Sequence, residues 1–494
     1  MTRFRLLPLA VCALATCAFA HHDPNGIQIS TKSPAAHRYF EKGMAKMEML
    51  HIQDGLANFR QSVAADPQFA LGHIILNFFS QDPTEQVTER EKALATRQFA
   101  GPEEKLIIDW LANASESQWI PAIQAMNQAL ETYPHDKYLA WLAGWWLALN
   151  QNQSPRATAL FERVIKIDPD FPDAWNEAAY CYAKAGNFDK AFADMKRYTE
   201  LVPNEPNPQD SFAEISRMAG RFDQAIKHYR ASLKIDPTFH ESQLGLGDTY
   251  ALMGDEARAR AEYAIAINEA TEVQKVVWGL QSAATYIREN DLAGAEKAFH
   301  AVAEEAHEKD FGNYEAEAYR SLAMYEKDSG TAMKLLDKAE SVLHEHHNVP
   351  KVLLDEELAL VWRTRVERAV GKGNDKLASS TLKQLEKMAD GTPDEMIQAA
   401  YHGAAGVALL SQSKYADAIS HLEEDQTNAL SMRNLLAAYE KSGQKENADK
   451  LADKLAVFYF PTIDQAVVVP QFRAAYKAAP KASHALKSVA EKSK

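Results

Sequence analysis

The chain reads as all-α, a superhelical solenoid of stacked α-α hairpins arranged in up to two arrays. Three observations predict this. Pro169, Pro203 and Pro237 stand 34 residues apart (203−169 and 237−203), and Gly186, Gly220 and Gly254 keep the same period. Ala157, Ala191, Ala225 and Ala259 keep it as well. Three residue types sharing one spacing between about Tyr138 and Asn268 mark an internal repeat, which has to be read before any local motif. With 494 residues, 46% of them hydrophobic and 25% charged, the composition suits an ordered helical body.

The unit from Pro172 to Glu205 shows how each repeat is built. The segment from Asp173 to Ala185 forms its first helix and stops at Gly186, since glycine takes a positive φ at little steric cost. A second helix runs from Asp189 to Leu201 and ends before Pro203, because the residue preceding proline is pushed out of the helical region. Trp175, Ala179, Ala191, Met195 and Pro203 occupy positions 4, 8, 20, 24 and 32 of this unit. Gln209, Ala213, Ala225, Tyr229 and Pro237 occupy them in the next, and Gln243, Gly247, Ala259, Tyr263 and Thr271 in the one after. This pattern resembles the tetratricopeptide repeat (TPR) family, with Met195 in place of an aromatic residue and Thr271 in place of proline. The resemblance implies small residues where two helices cross, aromatic wedges between units, and a trade of binding other proteins. One hairpin cannot bury enough apolar surface to offset roughly 1–2 kcal/mol of backbone entropy per residue. Stability must therefore come from stacking.

In chain order, residues 1–20 read as a secretory signal peptide. Arg3 and Arg5 precede an apolar run from Leu6 to Phe19, and Ala18-Phe19-Ala20 forms a small-residue cleavage site. The run is too short to span a bilayer, so no transmembrane segment is expected in the mature chain. A periplasmic location follows, with a lipid anchor on Cys17 as the alternative because Leu14-Ala15-Thr16-Cys17 approaches a lipobox. Cleavage would leave 52 basic residues (54−2) against 68 acidic ones, a balance poorly suited to nucleic acid. Cys181 would be the one remaining cysteine, which excludes an intramolecular disulfide. Residues 21–35 read as a flexible leader.

The first array is expected over 36–273. It opens on a unit with Tyr39, Gly43, Gly55, Phe59 and Pro67, continues through helices near Ala70–Phe79, Thr84–Phe99, Glu103–Ala114 and Trp119–Thr132, and makes seven units by Thr271. The unit beginning at Tyr138 carries Trp141, Trp145, Ala157, Phe161 and Pro169. Beyond Thr271 the register jumps and the prolines disappear, so a degenerate second array is expected over 274–456. Its units carry Ala283, Ala295 and Phe299; Ala332 and Leu336; Trp362, Gly373, Ala378 and Leu382; Gly406, Ala418 and Leu422; then Tyr439, Gly443 and Ala448. Residues 457–494 are expected to fold back as a cap and end in a frayed tail, since Tyr459-Phe460-Pro461 and Val467-Val468-Val469-Pro470 are too apolar for a free linker.

Motifs for catalysis are missing. There is no Gly-x-Ser-x-Gly, no phosphate-cradling Gly-x-x-x-x-Gly-Lys and no His-Glu-x-x-His. No enzyme activity and no cofactor are expected. His344, His346 and His347 form the one histidine cluster, and with His21 and His22 they support the alternative of a periplasmic metal-handling protein. The favoured function is an exported scaffold that binds protein or peptide partners. Its resemblance to TPR proteins implies a concave groove lined by first-helix positions 2, 5, 9, 12 and 13. Those positions supply Asp173, Asn176, Tyr180, Asp210, Glu214, Arg217, Glu241 and Asp248, with Trp146 in an apolar floor beside them. An acidic wall next to that floor should prefer a segment carrying Lys or Arg beside a bulky apolar anchor.

Overall fold

The structure, a computed structural model, describes residues 26–150 and 154–478. The expected signal peptide with Cys17, the histidines His21 and His22, and the tail beyond 478 lie outside these residues. Four hairpins open the chain: α1 (Pro34–Glu48) with α2 (Ile52–Ala65), α3 (Ala70–Phe79) with α4 (Pro83–Thr96), α5 (Pro102–Ser115) with α6 (Trp119–Thr132), and α7 (Lys137–Trp145) with α8 (Ser154–Ile167). The regular repeats follow as α9 (Pro172–Lys184) with α10 (Phe188–Leu201), α11 (Asn207–Met218) with α12 (Phe222–Ile235), and α13 (His240–Met253) with α14 (Glu256–Asn268). Five hairpins come next, the first three containing longer helices. They are α15 (Glu272–Arg288) with α16 (Leu292–Glu308), α17 (Gly312–Tyr325) with α18 (Ser329–Glu345), α19 (Lys351–Gly371) with α20 (Asp375–Asp390), α21 (Glu395–Ser411) with α22 (Tyr415–Leu422), and α23 (Ala429–Lys441) with α24 (Lys445–Ala456). The helix α25 (Ile463–Ala478) follows them.

Each second helix packs on its first, and consecutive first helices touch one another, α9 on α11, α11 on α13 and α13 on α15. The first helices therefore form the tighter, concave layer. The periodic residues explain the crossings. Ala157, Ala191, Ala225 and Ala259 are fully buried, and so are the residues four positions on: Phe161, Met195, Tyr229 and Tyr263. At Gly247 a Cβ would meet the Tyr263 ring at 2.5 Å, so the large residue at position 24 fills the space that the small one at position 8 leaves. Gly186, Gly220 and Gly254 take φ of +77°, +72° and +85°, which only glycine adopts without strain, and they close the three regular hairpins.

The register jump after Thr271 has a physical cause. Regular units use helices of 12 to 14 residues, whereas α15 and α16 run for 17 residues each and α19 for 21. Longer helices cannot keep a 34-residue spacing. Turns in this region also replace glycine with Asn290, Asp310 and Ser413 at φ near +60°.

Two segments outside the hairpins are fixed by long-range contacts. Residues 26–33, expected as part of a loose leader, are tied down. The backbone N–H groups of Gln28 and Ser30 donate to the carboxylates of Glu103 (3.1 Å) and Glu104 (2.9 Å), which stand in the first turn of α5, and Ile27 is buried. The segment expected to fold back as a cap reaches deep into the second array. There α25 packs on α15, α17, α23 and α24, along the concave layer. Among the described residues, no helix is long and apolar enough to cross a membrane.

Candidate functional site

The concave faces of α7, α9, α11 and α13 carry a line of polar side chains joined from one repeat to the next. Because the period is 34, Tyr180, Glu214 and Asp248 hold the same place in successive units and stack along the wall. The Tyr180 hydroxyl donates to Glu214 at 3.0 Å, and Arg217 Nη2 donates to the other oxygen of Glu214 at 2.6 Å. Asp248 accepts from the Tyr263 hydroxyl at 2.7 Å, and Asp210 accepts from Ser242 at 2.6 Å. Arg217 is buried, and its Nη1 stands 3.8 Å from Asp248, beyond hydrogen-bond reach. Of these groups Glu214 is half-buried, while Asp210, Asp248 and Arg217 are enclosed by the wall. Glu241 is exposed at its edge.

At the start of the wall Asp173 is fully buried. Trp141 and Trp145 donate their indole N–H groups to its Oδ2 at 2.7 and 2.8 Å, and Asn176 donates to Oδ1 at 3.2 Å. Trp146 does not join this line. Its ring lies buried between Trp110 and Trp119, with centroids 5.6 and 5.7 Å away. The expectation that Trp146 supplies the groove floor is therefore corrected in favour of Trp145. The cause is a slip of one residue. Elsewhere the small residue of the crossing precedes its large partner by 16 positions, as Gly43 precedes Phe59 and Gly247 precedes Tyr263. In this hairpin Gly144 precedes Phe161 by 17 (161−144), and α7 passes into a π-helical turn over Trp146–Asn150. Such a turn houses the extra residue. Wall positions move back by one, onto Trp145 and Trp141.

Electrostatics modifies the expected acidic wall. Burial pushes Asp173 up to about 7, against the hydrogen bonds from Trp141 and Trp145. Burial likewise raises Asp210 to about 8 and Asp248 to about 6, opposed by Ser242 for the first and by Arg217 for the second. For Arg217 burial acts against the charge, and Tyr229, Glu214 and Asp248 outweigh it. The wall is thus richer in neutral carboxyl groups at neutral pH than a count of acids suggests. These groups can donate as well as accept.

Apolar residues flank the line. Met49, from the turn between α1 and α2, and Phe460 both pack against the cluster of Ala179, Ala183, Ile215 and Met218. The same α1–α2 turn is fixed by His51 to Glu205 at 2.6 Å. Sequence reasoning missed this closure, since a contact spanning 154 residues leaves no local trace.

The histidine cluster does not gather. His346 pairs with Asp310 at 2.9 Å, while His344 and His347 are exposed on either side of it. Among the described residues, no group of three His, Cys, Asp or Glu side chains could hold a metal ion.

Residues 146–219 match the family model described as Tetratricopeptide repeat, and residues 215–254 match the one described as TPR repeat. No curated protein matches the chain. Among solved structures it is similar to the APC/C hetero-tetramer Cut9-Hcn1, with 14% identity, a TM-score of 0.41, and coverage of 82% of this chain and 76% of that one. It is similar to PilW, a type IV pilus biogenesis factor, with 17% identity, a TM-score of 0.29, and coverage of 49% and 99%. It is also similar to a thermophilic TPR protein of Thermus thermophilus, with 21% identity, a TM-score of 0.31, and coverage of 42% and 99%. The stretch 146–254 thus matches tetratricopeptide repeat models, and the hairpins on either side continue the same α-α solenoid.

Proposed function

We propose that the chain is a TPR scaffold that binds a protein partner along the wall formed by α9, α11 and α13. The observation that carries this reading is the stack of Tyr180, Glu214 and Asp248 with Arg217 beside it, a polar line repeated at one place in each unit and flanked by Met49 and Phe460. A polar line between apolar rims suits an extended segment that carries Lys or Arg next to one bulky apolar side chain. The apolar side chain supplies most of the affinity. Glu214, the half-buried acid of the line, meets the basic group and sets association rate and choice of partner.

A random peptide display library selected against the full chain tests this. Enriched peptides should combine a basic and a bulky apolar residue, and Glu214→Gln, which keeps an acceptor for Arg217, should slow their association. Enrichment of acidic peptides, or equally fast association with the variant, would reject the surface. Export across the inner membrane is part of the proposal and is supported by the basic start at Arg3 and Arg5 and the cleavage pattern at Ala20. N-terminal sequencing of the mature protein should begin at His21, and a lipidated Cys17 would replace a soluble periplasmic protein with an anchored one.

A further inference from the structure

The concave layer of the second array is already filled, and what fills it describes a ligand. From Asp464 to Val469 the first turns of α25 are buried almost without interruption. Asp464 Oδ2 accepts the N–H of Ala429 at 2.6 Å, at the positive end of α23, and lies within electrostatic reach of Arg288, Arg320 and Arg363. Arg320 is held by Glu357 and Arg363 by Asp425, and Arg288 donates to Gln465. Ala466, Val468 and Val469 supply the apolar contacts. Upstream, Tyr459 stacks edge-on against Phe222, and downstream Arg473 donates to the Leu252 carbonyl at 3.3 Å, so the segment also bridges to the first array.

The seat is larger than its occupant. A cavity of about 340 Å³ remains between Pro461–Asp464 and the helices around it, lined by Leu280, Gln281, Phe299, Met324 and Leu430 among others. The buried Gln281 Oε1 on its wall has no hydrogen-bond partner. The space is a cleft partly open to solvent, so the segment leaves part of the groove accessible. Pro470 also interrupts the backbone hydrogen bonding of α25, and Gln471, Ala474 and Ala475 beyond it are exposed.

We propose that this groove is a docking site for a partner helix that opens with a carboxylate residue and continues with a small, β-branched apolar face, and that residues 458–478 occupy it in cis. Phe460 of this segment also rims the wall of α9, α11 and α13, but a substitution at Glu214 leaves the segment untouched, so either reading can fail alone.

The test uses the full chain with Asp464→Lys and Val469→Asp, which should detach the segment, and a fluorescent synthetic peptide spanning residues 457–478 as probe. The peptide should bind the variant saturably and the unmodified chain at least about tenfold more weakly. A peptide carrying Asp464→Lys should bind the variant at least about tenfold more weakly than the native peptide, since a buried charged hydrogen bond is lost. A natively helical variant that ignores the peptide, or equal binding by variant and unmodified chain, would overturn the proposal. If the variant does not fold, hydrogen exchange on the unmodified chain decides. Amides of 464–469 should exchange at least about tenfold faster than those of α15 and α17, and equal rates would show an integral core helix.

Discussion

The two arrays share one architecture and stabilise their inner layers differently. Between α7 and α13 the concave residues are carboxyl groups that burial raises and that tryptophan, tyrosine and serine side chains satisfy, as at Asp173, Asp210 and Asp248. Between α15 and α23 they are ion pairs. Arg320 donates Nε and Nη2 to Glu357 at 2.5 and 3.1 Å, and Arg363 lies 2.8 Å from Asp425. Burial pushes Glu357 up to about 7 although Arg320 holds it down, so what distinguishes this layer is the two-nitrogen pairing with an arginine rather than a lower carboxyl value. The first array leaves its polar line facing the groove, and the second covers its own with α25. A repeat that keeps its period keeps its groove positions in register, here with Glu214 half-buried among enclosed neighbours. A repeat that lengthens its helices loses the register and fills the space from within.

The sharpest test of this contrast is Glu357→Ala. It strands Arg320 in the inner layer, and removing one partner of a buried pair costs about 3–5 kcal/mol. Asp173→Asn should cost far less, since the indole donors keep an oxygen acceptor and no charge is stranded. Chemical denaturation of the two variants should rank them in that order. Equal costs would mean that the two layers are not held differently.

How much of this could be read beforehand follows from the same contrast. The prolines, glycines and alanines repeating every 34 residues announced the hairpins, and the long helices of the second array were visible as a jump of register without their cause. Tyr180, Glu214 and Asp248 were placed on the wall because the period puts them there. Trp145 was mistaken for its neighbour Trp146 because the extra residue sits within a helical turn, where no glycine or proline marks it. The arginines Arg288, Arg320 and Arg363 occupy no common repeat position, and their convergence depends on superhelical curvature. The descent of α25 into the groove is also a long-range contact, which local apolarity signals without giving its direction.

A second comparison concerns glycines. Gly247→Leu should destabilise by about 1–3 kcal/mol, because even the first added carbon meets Tyr263 at 2.5 Å. Gly371→Ala, at the end of α19 with no atom within 4 Å of the new carbon, should be neutral or slightly stabilising. Thermal melting separates the two outcomes.

The protonated wall gives a smaller effect with a definite sign. Asp210 and Asp173 have folded-state values near 8 and 7, above the ordinary carboxylate range. The native chain therefore binds more protons than the unfolded one between about pH 4 and 8, and stability falls as pH rises through that window. Melting temperature should be lower at about pH 8.5 than at about pH 5.5, and Asp210→Asn should flatten that slope. A slope of opposite sign would mean that these carboxyls are ionised in the wall.

Glu214→Ala would strand the buried Arg217 as Glu357→Ala strands Arg320, so the smallest stability effect is expected at Glu214→Gln, which keeps an oxygen acceptor for that arginine. Its consequence should appear in binding instead.

The claim that the wall of α9, α11 and α13 is the docking surface is tested most directly by a hydrogen-exchange footprint of the full chain bound to a peptide from the display selection. The account predicts added protection in 172–184, 207–218 and 240–253, with α10, α12 and α14 unchanged. Protection confined to those outer helices, or to α15 through α23, would contradict it.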